Sequence, residues 1–271
     1  ASNSALKGLD QAVAAALSDA VSSAVSAATS QGQAFVAAAT GKPALAQAAH
    51  SAPALDAEKA AVKTAMAEGQ KGFRALLKRK VVEKTGLRGI LGGLRQARNA
   101  VGRAVSTITT SVNHNVTKVK HATATANKAP FELWVSERDA CVRCTKYAGR
   151  LVKTGESFPG GLSWDPKDAE KMKDATDVRP PLHPHCRCRL VPWDPAWARP
   201  GEVSLPQAVS REAQRSVARG FSLPGESNAS RIRAAKELLS SNPQLPKTVI
   251  AAAKKAVAKG EFPKGRSVPN P

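Results

Sequence analysis

The chain of 271 residues holds four cysteines, and all of them fall in two tight groups, Cys141-x-x-Cys144 and His183-Pro184-His185-Cys186-Arg187-Cys188. Thiolates and imidazoles are the usual ligands of a structural zinc, which is four-coordinate and draws its ligands as two close pairs joined by a longer loop. Two intervening residues let both sulfurs of the first pair turn toward one point, and His183 and Cys186 repeat that spacing. The second group holds more donors than a tetrahedron needs. Alternation along an extended run would present Cys186 and Cys188 together, whereas the knuckle spacing selects His183 with Cys186. The expected ligands are Cys141, Cys144, His183 and Cys186, with Cys188 as the alternative and His185 as a weaker rival.

Other uses of cysteine fit less well. Two disulfides require an oxidising compartment, and the sequence shows no signal-peptide pattern and is expected to have no membrane span. A redox Cys-x-x-Cys opens a helix within a βαβ unit, and none surrounds Cys141. A zinc deaminase requires a His-x-Glu partner and a proline before its Cys-x-x-Cys, and both are missing. The residues after Pro200 contain no His, Cys or Asp, so a hydrolytic centre is not expected there. The chain is therefore not expected to be an enzyme. The competing reading is a zinc-dependent DNA-acting enzyme or toxin-like effector, and a base-reading zinc module is a third.

Three short segments would hold the cysteines in place. Phe131–Ser136 reads as a strand ending just before the knuckle, Gly149–Lys153 as a second, and Arg189–Trp193 as a third, on an edge because of Pro192. Zinc-stapled sheet and loops together span residues 129–200. Beyond them, Pro206–Arg219, Ala229–Leu239 and Pro246–Lys259 read as helices, the first and last closed by Gly220 and Gly260.

Upstream, residues 1–57 are rich in alanine, serine and glutamine and show no stripe of large apolar residues, so helix formed on docking, or disorder, is expected. Residues 58–128 sharpen into basic amphipathic helices. Val62, Met66, Phe73, Leu76 and Leu77 share one face, and Leu94, Ala97, Val101, Val105, Ile108, Val112, Val116 and Val119 recur at steps of three and four. Gly86, Gly89, Gly92 and Gly93 are expected to break the helix or allow close packing, and His114 and His121 to be lone surface histidines. The fold class is thus mainly α with a small α+β zinc-stapled domain, an extended helical N-terminal arm and a helical C-terminal region, residues 201–271.

The net charge of +20 is uneven: −1 over residues 1–60, +12 over 61–130, +2 over 131–200 and +7 over 201–271. Basic flanks around a nearly neutral metal segment imply a polyanion, most simply nucleic acid. Aromatic residues for base stacking are missing from the basic stretch, so contact with the phosphate backbone is expected rather than base reading. Lys71, Arg74, Lys78, Arg79, Lys80, Arg95 and Arg98 are the candidate contacts.

The run Trp134-Val135-Ser136-Glu137-Arg138-Asp139-Ala140-Cys141-Val142-Arg143-Cys144, then Gly149, then Pro180-Pro181-Leu182-His183-Pro184-His185-Cys186-Arg187-Cys188 resembles the phage head morphogenesis family, the Mu F-like minor head proteins of tailed bacteriophages. The resemblance covers about residues 128–195. It departs at Asp139-Ala140, where members often carry Arg-Thr, and at His185, commonly a small polar residue. It implies a minor capsid protein of the virion, placed inside the head near the portal after assembly in the host cytoplasm. Implied partners are the portal protein, the major capsid protein or both, with several copies around the portal. Packaged double-stranded DNA would be held without sequence preference and would carry the protein along on ejection. Residues 201–271 resemble nothing that names a role.

Overall fold

A computed structural model describes residues 9–45, 55–76, 84, 86–183, 186–198, 200–220 and 226–263. It is mainly helical with one small antiparallel sheet. In chain order the described elements are α1 (Leu9–Thr40), α2 (Asp56–Leu76), α3 (Leu87–Ala126), β1 (Phe131–Val135), α4 (Cys144–Tyr147), β2 (Leu151–Lys153), α5 (Pro166–Lys171), β3 (Arg189–Trp193), a 3-10 turn (Pro195–Trp197), α6 (Leu205–Ala218), α7 (Asn228–Ser240) and α8 (Lys247–Lys259). The chain divides into two compact units. One comprises Ala1–Ala28, Ala49–Val116 and His183–His185; the other comprises Thr29–Ala48, Thr117–Leu182 and Cys186–Pro271.

Alanine has the highest helix propensity, and α1 runs unbroken for 32 residues. Its buried stripe is made of Leu17, Val21, Val25, Ala28 and Val36, at steps of three, four or eight, so the helix expected here has an apolar face built mostly of valine and alanine. By length and composition alone Gln11–Thr40 is apolar enough to cross a membrane, where no such span was expected. In α2, Asp56 and Glu58 sit in the first turn and Arg74 in the last, matching the helix dipole. Val62, Ala65 and Met66 turn inward. The side chains of Phe73 and Leu76 and all of Leu77 lie outside the described residues.

In the first half of α3 several small residues are buried while the large aliphatic ones are exposed; farther along, Val119 is fully buried. Gly89, Gly93, Ala100, Ala104 and Ser111 face inward, whereas Leu87, Leu91, Leu94, Val101 and Val105 are exposed. The reason is close approach to α2. A Cβ added at Gly69 would stand 2.2 Å from the Cβ of Ala100, and one at Gly72 would stand 2.1 Å from the Gln96 amide oxygen. Glycine permits the helix axes to converge only where no side chain intervenes. Of the glycines read as breakers, only Gly86, at φ +55°, precedes the helix; Gly89, Gly92 and Gly93 lie within it.

The second unit is built on the sheet, with strand order β2-β1-β3. Phe131 pairs with Lys153 on one side and Trp193 on the other, and Val135 with Arg189. Pro192 therefore lies on an edge strand, as expected. α6 and α8 run out into Gly220 and Gly260, both at positive φ. Residues 129–200 and 201–271, expected as separate regions, share a core: Val142 and Trp164 pack with Val217, Ala234, Leu238, Val249 and Ala253. Phe35 of α1 meets Trp197 edge-on at 6.2 Å, and Asn127 accepts a hydrogen bond from the Leu45 amide at 2.8 Å.

Candidate metal centre

β1 delivers the chain to the knuckle, and its last-but-one residue anchors the arrangement. Trp134 is fully buried, stacks on Tyr147 at 4.7 Å and receives Phe158 edge-on at 5.1 Å. The Tyr147 hydroxyl donates to the Pro159 carbonyl at 2.7 Å, fixing the following loop. Between Trp134 and Tyr147 the chain turns tightly. The Ala140 amide donates to Glu137, and Thr145 donates to the Cys141 carbonyl from both its amide and its hydroxyl, each at 3.0 Å. These bonds wind Cys144–Tyr147 into a single helical turn and point the Cys144 amide at the Cys141 sulfur, 3.4 Å away.

The second cysteine run is fastened to the first by two ion pairs. Arg189 donates to Glu137 at 2.6 Å, and Arg187 pairs with Asp139. Arg143, between the knuckle cysteines, donates to Asp168 from Nε and Nη2, at 3.1 and 2.5 Å. That hydrogen bond raises the arginine's pKa despite burial.

The four cysteines are buried and not joined by disulfides. The ligand atoms of Cys141, Cys144 and His183 lie within 4.8 Å of one another, and so do those of Cys144, Cys186 and Cys188. Cys144 belongs to both groups. Its sulfur stands 3.7 Å from that of Cys186, close to the edge of about 3.8 Å that a tetrahedron of sulfurs has when each metal–sulfur bond is about 2.3 Å. A disulfide would require about 2.05 Å. Hydrogen bonds from the Cys144 and Cys188 thiols, together with backbone amides, hold Cys186 far below the ordinary thiol range despite its burial. Cys144 is pushed well up by its bonds to Cys141, Cys186 and Cys188 and by burial. A cation bound among these sulfurs would displace thiol protons.

The structure thus brings together Cys141, Cys144, Cys186, Cys188 and His183 as groups able to hold a metal ion. His185 lies outside the described residues. Of the expected DNA contacts, Lys71, Arg74, Arg95 and Arg98 are exposed; Lys78, Arg79 and Lys80 lie outside the described residues. His121, read as a lone surface histidine, instead places Nδ1 2.9 Å from the fully buried carboxylate of Glu132. Glu132 also accepts from Arg179 at 3.2 Å and from the Gly155 amide at 3.3 Å. A second buried carboxylate, Asp165, accepts from Nε and Nη2 of Arg233, at 2.8 and 2.6 Å, and from Ser230 at 2.7 Å. A buried acid inside a strand pattern is the only trace Glu132 leaves in the sequence, and its partners lie 11 and 47 residues away.

Compared with family models, curated proteins and solved structures, the chain matches none.

Proposed function

We propose that this chain is a minor capsid protein of a tailed bacteriophage, a head morphogenesis protein lodged inside the virion, bound to the portal or the inner capsid surface. A zinc ion held by Cys141, Cys144, Cys186 and either His183 or Cys188 staples its small sheet domain. Zinc bound there would supply a closed, four-ligand crosslink rather than a reactive position. The chain's own residues do the rest. Glu137 and Asp139 hold Arg189 and Arg187, so the two cysteine runs keep register. Thr145 locks the knuckle turn, and Trp134 and Tyr147 pack in the same buried cluster as the four cysteines.

The observation that carries this reading is that the segments bearing the family-like signature, 42 residues apart at Cys144 and Cys186, come together around one buried sulfur cluster. Basic flanks with few aromatics suit a protein lying among packaged phosphates without reading bases. Purified protein is expected to carry about one zinc per chain, and virions separated into shell, portal and DNA fractions should retain the protein with the portal or shell. Metal-free protein with all thiols reactive would remove the staple, and absence from virions would remove the function.

A further inference from the structure

Leu87, Leu91, Leu94, Arg98, Val101, Val105, Ile108 and Val112 follow one another along α3 at strictly alternating steps of four and three. That is the heptad spacing of a coiled-coil seam, with an average repeat of 3.5 residues. It is not the packed face of the helix. The five large aliphatics from Leu87 to Val105 are between 48% and 77% exposed, and the seam passes to half-buried only at Ile108 and Val112. The buried face carries Gly93, Ala100 and Ala104, and Ala100 meets Gly69 of α2 there. A helix that hides glycine and alanine while presenting leucine and valine at heptad spacing has a place for one more helix.

Charge identifies the occupant. α3 contains no Asp or Glu over its 40 residues. Arg88 and Arg95 occupy the row flanking the seam, and Arg98 stands within it. A second copy packed in parallel would set Arg98 against Arg98, and an antiparallel copy would face the Arg88 and Arg95 rows toward each other; like charges at these positions reject a partner. Duplex DNA offers nothing to cover aliphatic side chains. A membrane surface calls for a broad apolar face, whereas here Gly92, Asn99, Gly102 and Ser106 lie beside a narrow one. We infer that residues 87–112 dock a helix from another protein, with an apolar heptad seam, acidic flanks and a carboxylate opposite Arg98. Arg95 and Arg98, first read as phosphate contacts, then serve this partner. The inference stands independently of the zinc staple and of DNA binding.

The test uses the full-length chain and a fluorescent four-heptad peptide with leucine in the seam and glutamate in both flanking rows. Binding by anisotropy should be at least tenfold tighter than to the same peptide with lysine flanks. Leu94→Asp with Val101→Asp should weaken it at least tenfold, and Arg98→Glu should weaken it too. Asn99→Asp, exposed but off the seam, should leave it unchanged, with circular dichroism the same for every variant. Equal affinity for the two peptides, or none for the acidic one, would overturn the proposal. So would sedimentation showing a dimer of this chain that Leu94→Asp dissolves, which would make the occupant a second copy. Co-sedimentation with phosphatidylserine vesicles lost in Leu94→Asp would overturn it in favour of a lipid surface.

Discussion

Cys144 is the sulfur common to both groups, so its removal disconnects the knuckle from the Cys-Arg-Cys run while deleting one donor. Cys144→Ser is expected to reduce bound zinc from about one per chain to a small fraction, measured by elemental analysis after gel filtration. Structural zinc contributes about 10 kcal/mol or more to folding in small domains, so chelation of the wild type should lower the thermal midpoint by about 10 °C or more. The contested fourth place is decided by the same measurement. If His183 is the ligand, Cys188→Ser keeps the metal and His183→Ala loses it; if Cys188 is the ligand, the results reverse. The buried carboxylates give a separate signature. Burial pushes Asp165 up, but Arg233, Ser230 and the Lys167 amide outweigh it and hold its pKa below the ordinary range. For Asp168, burial is likewise outweighed by Arg143. A carboxylate with a lower pKa folded than unfolded contributes stability above the unfolded value of about 4 and loses it as pH falls through the folded value. Stability should therefore decline below about pH 4. Asp165→Asn should flatten that decline and cost about 2 kcal/mol at neutral pH by urea unfolding.

Between elements, two glycines in neighbouring helices make opposite predictions. An alanine at Gly69 meets the Ala100 Cβ, whereas Gly102 on the outer side of α3 has nothing within 4 Å of an added Cβ. Gly102→Ala should stabilise by about 0.5–1 kcal/mol through helix propensity. Gly69→Ala should destabilise by about 1–3 kcal/mol through overpacking, although its helical gain is the same. Urea midpoints of the two variants check both signs. The pair also marks where sequence reading reaches its limit. Turn-bounded strands and helices framed by proline and glycine are local signals, and β1, β3, α6, α7 and α8 appear within a residue or two of where Phe131, Arg189, Pro206, Ala229 and Pro246 place them. The inner face of α3 is not local. Its aliphatic periodicity is real, but hydrophobic spacing cannot tell a core face from a docking face, and the deciding residues are Gly69 and Gly72 on another helix. The cysteine groups were legible because ligand spacing is short-range. The acids at Glu132 and Asp165 were hidden because their arginines, Arg179 and Arg233, come from distant loops and helices.

For the whole molecule, the quantity that matters is where the charge of +20 lies. If the proposed contact with DNA holds, a chain with +12 concentrated in residues 61–130 and no aromatic platform would bind the duplex by releasing counterions, so its affinity should depend steeply on salt and hardly at all on sequence. If six to ten phosphates are neutralised, the association constant should fall by about 10³–10⁵ between 50 and 200 mM salt, with the same slope for two unrelated duplexes. Lys71 and Arg74 are exposed on α2, outside the aliphatic seam. Lys71→Ala with Arg74→Ala should reduce the logarithmic salt slope by about 2 while leaving zinc content and the acidic-peptide affinity unchanged. Arg98→Glu should weaken the peptide complex far more than it alters the slope. Fluorescence anisotropy at a series of salt concentrations measures both quantities on the same protein. A flat salt response would show that the basic flanks serve protein partners alone, and a slope that differed between the duplexes would show base reading. The two sets of variants would thus separate the two proposed uses of the positive charge, phosphate contact through Lys71 and Arg74 and an acidic helix through Arg98.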